Sequence, residues 1–356
     1  MTQNWGMTIP FFDRSLAESK ELIAELPGLG YTDVWSAEVN GADAFVPLAM
    51  AAEWAQGVRL GTAIVPVFTR GPGLLAMSAA TLADLAPGRF VLGIGSSSPA
   101  IVQRWNAAEF GRPYARTRDT LRFLRKALAG EKVSEQYETF GVKGFKLERA
   151  PKVAPKIVLA ALRPRMLHLA ASEADGAITN WLSPEDVRQV RAEVGPSTEL
   201  IARIFVCVSE DSDRAREMGR WMLASYLTVP AYAAFHDWLG RAEVLRPMHE
   251  AWAAGDRQAA LKAIPDEVVD ALIVHGDAAT CRARVQEYVD NGLDTPILAP
   301  VPADLPVPEG RPRPGSLTRA ARGRRSRGGP RTWACSHGPD RGFQASDPEG
   351  VWREIT

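Results

Sequence analysis

Four stretches of this chain place residue types capable of chemistry at the ends of apolar runs. In the first, YTDVWSA at 31–37 leads directly into Glu38. A carboxylate at such a strand end meets a partly buried rim, where desolvation and neighbours tune its proton affinity. Acid–base work, ligand orientation and substrate binding are all open to it, as is the plainer role of a helix-capping or solvated carboxylate. The second stretch is Gly93-Ile94-Gly95-Ser96-Ser97-Ser98-Pro99. It lacks the third glycine of a dinucleotide-binding turn and is not a G-x-S-x-G nucleophile elbow. It reads instead as a polar loop of hydroxyls and backbone N–H groups before a helix at Pro99. The third, KIVLAALRPRMLH at 156–168, turns through Ala160, Ala161, Leu162 and Arg163 into a helix whose first amides can hold a phosphate. Arg163 adds a charge that suits phosphate, although a solvent-facing arginine is equally natural there. The fourth is VRLGTAIVPV at 58–67, whose Ala63–Ile64 step reads from composition alone as core.

Other candidates carry less. His168, His236, His249 and His275 show no i, i+4 pairing, and Cys207, Cys281 and Cys335 lie far apart, so neither a metal site nor a disulfide framework is legible. Trp5, Phe11, Phe12, Trp35, Phe68, Trp105 and Trp181 fall at or near strand ends, where they can wall an apolar pocket.

The elements that must position these residues alternate. Apolar runs at 7–12, 31–38, 58–68, 89–97, 156–161, 176–180, 198–208 and 295–301 each read as a strand. Helical patterns intervene from Ser15, at 43–55, 73–86, between 100 and 130, at 163–173, from Ser183-Pro184-Glu185-Asp186, at 211–227 and at 278–290. Eight strands with crossover helices predict a single α/β (β/α)8 TIM-type barrel over residues 1–302, with chemistry at the carboxyl ends of the strands. A hairpin insertion at 133–150, with Gly141 and Gly144 as turn residues, and a helical insertion at 230–268 over the barrel mouth interrupt the pattern. A short apolar run lies at 271–275. From Glu309 to Arg331 there are eight arginines and one acid among many glycines and prolines. Residues 303–356 therefore read as a disordered Arg/Pro/Gly-rich tail, and no eighth helix is legible.

The chain has 356 residues, 46% hydrophobic and 24% charged, with a formal net charge of zero. Those values are ordinary for a soluble globular protein and give no overall drive toward nucleic acid or membrane. With no signal peptide pattern and no stretch approaching 18 apolar residues, a cytoplasmic protein is the expectation.

The pieces GYTDVWSAEVNGADAF (30–45), VRLGTAIVPVFTRGP (58–72), GRFVLGIGSSSPAIVQRW (88–105) and KIVLAALRPRMLHLAASEADGAITNW (156–181) together resemble the luciferase-like monooxygenase superfamily. Within it the likeness is to the branch of oxidoreductases that use the deazaflavin coenzyme F420. The resemblance implies a cis peptide at Ala63–Ile64 whose bulge supports one face of the cofactor ring. It implies Ser96 and Ser97 at the polar edge of the ring or its side chain, and the turn Ala161, Leu162, Arg163 at the phosphate. Arg70, Arg104 or Arg163 would flank the cofactor's anionic tail. Some relatives carry a histidine where this chain has Glu38, which makes Glu38 the catalytic proton-handling candidate. Relatives also place an acid at Ser98 to bind sugar phosphates, and its absence argues against that substrate. The implied activity is hydride transfer between F420 and a small organic substrate, with a homodimer allowed. The alternatives are an FMN-dependent monooxygenase, a non-catalytic flavin- or deazaflavin-binding barrel, and an unrelated phosphate-binding barrel enzyme such as an isomerase.

Overall fold

Side chains along a strand alternate between two faces, so a closed parallel ring sorts them into those facing the helices and those stacked along the axis. A computed structural model describes residues 3–302 and shows this sorting. In chain order the strands are β1 (Gly6–Thr8), β2 (Asp33–Ser36), β3 (Arg59–Thr62) with its continuation β4 (Val65–Pro66), and β5 (Phe90–Gly95). A separate antiparallel hairpin, β6 (Val133–Gln136) and β7 (Gly141–Phe145), follows. Then come β8 (Lys156–Ala160), β9 (Gly176–Asn180), β10 (Glu199–Val208), β11 (Ile273–Gly276) and β12 (Thr295–Pro300). Parallel pairing runs β1–β2–β3–β5–β8–β9–β10–β12 and returns to β1, closing an eight-stranded barrel.

The crossovers are α1 (Lys20–Glu25), α2 (Phe45–Trp54), α3 (Pro72–Leu85), α4 (Pro113–Leu128), α5 (Pro164–Glu173), α6 (Pro184–Val194) and α7 (Ser212–Leu227). Four further helices, α8 (Pro230–Trp238), α9 (Ala242–Ala253), α10 (Arg257–Lys262) and α11 (Asp266–Leu272), precede β11, and α12 (Ala278–Asp290) leads to β12. Helix α6 starts where its sequence requires. Ser183 accepts the Asp186 N–H, and the Asp186 carboxylate accepts the Ser183 N–H at 2.7 Å.

The barrel axis is filled in layers two residues apart. At the amino end, the Arg59 guanidinium is bonded to Asp33, to Glu199 at 2.8 Å and to Thr295 Oγ1 at 3.2 Å. Burial pushes the Asp33 carboxyl above the usual range, and Arg59 pulls it back. Two residues further on, Trp35, Val91, Val158, Ile178, Ile201 and Ile297 pack together. Trp35 fits only because Gly6 and Gly61 face it; a β-carbon on Gly61 would stand 2.1 Å from the indole ring. A second apolar cluster, with Trp181, Phe205, Trp221 and Met248, joins β10 to α7, α9 and α11.

Several sequence expectations shift. The first helix does not begin at Ser15. Ser15–Ser19 forms turns in which the Ser15 N–H bonds the Glu18 carboxylate at 2.8 Å, and regular helix starts at Lys20. The hairpin turns at Tyr137–Phe140, closed by a 2.8 Å backbone bond. Gly141 opens β7, while Gly144, at φ +72°, sits inside β7 with its N–H on Ser134 Oγ. The apolar run at 271–275 divides between the end of α11 and β11, which lies outside the ring beside β10. The tail at 303–356 lies outside the described residues. Among the described residues no helix is long and apolar enough to cross a membrane.

His236, on α8, is fully buried, and among the described residues neither ring nitrogen has a hydrogen-bond partner. Burial, followed by the nearby Arg241 and His249, depresses its pKa from 6.5 to about 3. Between those values the unfolded chain binds a proton that the folded one refuses, so stability is lost as pH falls through that window. Lowering the pH from about 7 to about 5 should cost about 2 kcal/mol through this group. Urea denaturation across that range is expected to show a flatter profile for His236→Leu than for the parent; parallel profiles would refute the assignment.

Candidate active site

The carboxyl ends of the barrel strands open on a cavity with about 1160 Å³ of empty space, counting its open mouth. Its wall is built strand by strand. Beyond β2 come Ala37 and Glu38, between β3 and β4 Ala63 and Ile64, and after β5 Ser96, Ser97 and Ser98. Ala160 and Leu162 follow from β8, Ile178 and Asn180 from β9, and Arg203 from β10. Tyr226 near the end of α7, Val229 after it and Tyr232 on α8 also line it.

The Ala63–Ile64 wall exists because β3 leaves its neighbour. Pairing with β5 ends at Gly61↔Val91 and resumes in β4 at Val65↔Ile94. Across the gap the Thr62 hydroxyl replaces the missing ladder bonds. It donates to the Gly93 carbonyl and accepts the Gly93 N–H, both at 2.8 Å. The Ala63–Ile64 peptide is cis, as the resemblance implied. On its other side, the Ala63 N–H bonds the Ser36 carbonyl at 2.6 Å, and the Glu38 N–H reaches the Ile64 carbonyl at 3.3 Å. The backbone that presents Glu38 is thus tied to the bulge.

The Glu38 carboxylate meets Arg70, with Nη2 2.6 Å from Oε1 and Nε 3.4 Å from Oε2. Hydrogen bonding to Glu38 raises the Arg70 pKa above its ordinary value. Arg70 also lies 5.0 Å over the Phe45 ring and 3.9 Å from Asp43. One of the arginines expected beside a cofactor tail is therefore engaged by the proton-handling candidate itself.

Of the remaining sequence candidates, Ser96, Ser97 and Leu162 reach the wall, and Ser97 takes a left-handed φ of +60°. Ala161 is 1% exposed behind the wall, its N–H bonded to the Ile178 carbonyl. Arg163 is exposed at the N-cap of α5, outside the cavity lining. Arg104 is also exposed, and His168 pairs on the surface with Glu193 at 2.7 Å. The aromatic wall differs from expectation. None of the seven aromatics singled out in the sequence lines the cavity. Trp35 fills the axis and Trp181 stacks on Phe205 at 4.0 Å. Trp105 is 43% exposed. The tyrosines that line the wall stand at the α7–α8 junction, which a strand-end search passes over.

Arg203 is the residue that sequence reading missed most completely. It lies two positions beyond Ile201 on β10, in register with Asn180. Its guanidinium carbon is 4.9 Å from the Phe205 ring centre and 6.0 Å from that of Phe12. Its Nε is buried without a partner among the described residues, and burial lowers its pKa from the ordinary arginine value. The neighbouring Asn180 Oδ1 is taken by the Tyr232 hydroxyl at 2.8 Å. A signal was present: Arg203 is the one charge inside the otherwise apolar run LIARIFVCV. Strands of a parallel barrel are covered on both faces, so a charge there calls for an explanation.

A family model described as luciferase-like monooxygenase matches residues 2–295. The chain belongs to the luciferase-like monooxygenase family. This luciferase-like barrel is accordingly an oxidoreductase. Among its relatives, a Mycobacterium tuberculosis protein provisionally named a coenzyme F420-dependent oxidoreductase is 28% identical over 77% of this chain and 88% of that protein. The 5,10-methylenetetrahydromethanopterin reductase of Methanolobus tindarius is 27% identical over 77% of this chain and 86% of its own length. The solved structure of the coenzyme F420-dependent tetrahydromethanopterin reductase of Methanopyrus kandleri superposes with a TM-score of 0.70 at 17% identity. That superposition covers 90% of this chain and 97% of the other, and it establishes the shared fold.

Proposed function

We propose that this luciferase-like barrel binds the deazaflavin coenzyme F420 and uses it for hydride transfer to or from a small organic substrate. The observation that carries the reading is the wall at Ala63–Ile64, where a small and a branched apolar side chain face the cavity from a stretch of strand released from its ladder. Such a wall admits a planar ring at close range. Ser96 and Ser97 face the same cavity and make no side-chain hydrogen bond among the described residues, which leaves their hydroxyls for a polar ring edge. With the Ala161 N–H committed to Ile178, the amides at Leu162 and Arg163 would hold the phosphate at the start of α5. The relative from M. tuberculosis supports F420 over FMN by its name.

When bound, F420 supplies two-electron hydride chemistry. The protein's share is then position and proton management. Ala63 and Ile64 would support one ring face, Leu162, Ile178 and Val229 would help exclude water around the ring, and Glu38 would exchange a proton with the bound reactants. Titrating the purified protein with F420 and with FMN, followed by fluorescence, tests the reading. F420 is expected to bind at least about tenfold more tightly, about 1.4 kcal/mol. A tenfold preference for FMN would replace the proposal with an FMN-dependent monooxygenase, and binding of neither would remove both.

A further inference from the structure

Arg203 is a cation without a counter-charge. Among the described residues its side chain has no hydrogen-bond or ion-pair partner, and its Nε is shut away from solvent. Among the described residues Glu38 is the sole carboxylate on the cavity wall, and Arg70 already holds it. The amide oxygen beside Arg203 on β9 accepts from Tyr232 instead. This half-buried guanidinium rests against the Phe12 and Phe205 rings with no anion to answer it, so its retention at a cavity wall points to a ligand that completes it.

Its place in the ring says which ligand. From β3 the order runs β5, β8, β9, β10 in one direction and β2, β1, β12, β10 in the other, so Arg203 stands directly across the barrel from Ala63–Ile64. A planar ring resting on Ala63–Ile64 turns its free face toward β10. Whatever lies on that free face meets Arg203, with Tyr226 beside it, while Leu162, Ile178 and Val229 supply an apolar surround.

We propose that Arg203 is a specificity-determining residue that selects substrates carrying a carboxylate on an apolar body. The planar guanidinium fork matches a carboxylate with two parallel hydrogen bonds, and the Tyr226 hydroxyl adds a third donor. The inference rests on the F420 reading for which face is open, and it adds a substrate class to that reading.

The experiment uses the full chain loaded with F420, in chloride-free buffer, with benzoate and its neutral counterpart benzamide as calorimetric probes. Benzoate is expected to bind at least about tenfold more tightly, as a charged, bidentate hydrogen bond requires. Arg203→Met should abolish the preference, Arg203→Lys should keep part of it, and F420 affinity should stay nearly constant in both. Because the methionine removes an uncompensated charge, Arg203→Met should melt no lower than the parent. Equal affinity for the two probes, or no binding of either, overturns the proposal. So does an Arg203→Met protein that loses F420, which would assign the arginine to the cofactor, or one that melts well below the parent, which would make it structural. A parent that ignores F420 yet shows an Arg203-dependent benzoate preference would uphold anion selection while removing the cofactor reading.

Discussion

Glu38→Gln is expected to lower turnover by about 10²–10⁴-fold, the range typical of a general acid–base group, with F420 affinity nearly unchanged. The expectation comes from placement. The Glu38 N–H is bonded to the Ile64 carbonyl, so the bulge that would carry the cofactor ring also fixes the origin of this side chain. Its carboxylate lies on the cavity wall, with Arg70 steering it from behind. Glutamine keeps the length and can still accept from Arg70 through its amide oxygen, but it cannot take a proton. Steady-state kinetics alongside cofactor titration separates the roles. Unchanged turnover would reduce the Glu38–Arg70 pair to a structural clasp. Loss of F420 binding would make Glu38 a ring-orienting residue.

Gly93→Ala should be the most damaging single methyl that can be added to the barrel wall. A β-carbon there would stand 1.9 Å from the Thr62 carbonyl oxygen, and that oxygen belongs to backbone held on both sides. An extra methyl in a packed core usually costs about 1–3 kcal/mol because side chains give way. Here a strand must move, so a loss of about 4 kcal/mol or more is expected, a large share of a typical domain's margin. Thr62 would be pushed from its paired bonds to Gly93, and the Ala63–Ile64 wall would move with it. Urea denaturation measures the first effect and F420 titration the second. A loss below about 1 kcal/mol would show that β3 yields more easily than its hydrogen bonds imply.

The barrel was legible because its strands and helices differ in period and length, and because helix starts such as Ser183-Pro184-Glu185-Asp186 carry their own caps. The positions of Glu38, Ser96 and Ser97 followed from the rule that strand ends face the site. Ala63–Ile64 came from family resemblance alone, since small and branched apolar residues in a strand otherwise read as core. Arg203 and Asn180 were not found because their inward aim depends on register across β9, β10 and β12, a relation between segments far apart in sequence. Tyr226 and Tyr232 were missed for a related reason: the α7–α8 junction reaches the cavity through tertiary packing. The aromatics at strand ends misled because large rings at those positions satisfy the helix layer and the axis before any ligand.

Arg59 and Trp35 close the axis from below, so two molecules sharing the space above them share one doorway. In such a cul-de-sac the deeper guest arrives first and departs last. A cofactor seated against Ala63–Ile64 would be trapped while a substrate lies over it, and each turnover would then run in compulsory order. An excess of substrate would slow the exchange of spent cofactor for fresh without touching the chemical step. Inhibition at high substrate concentration that extra cofactor does not relieve would be the kinetic signature of a plug at the far end of the barrel.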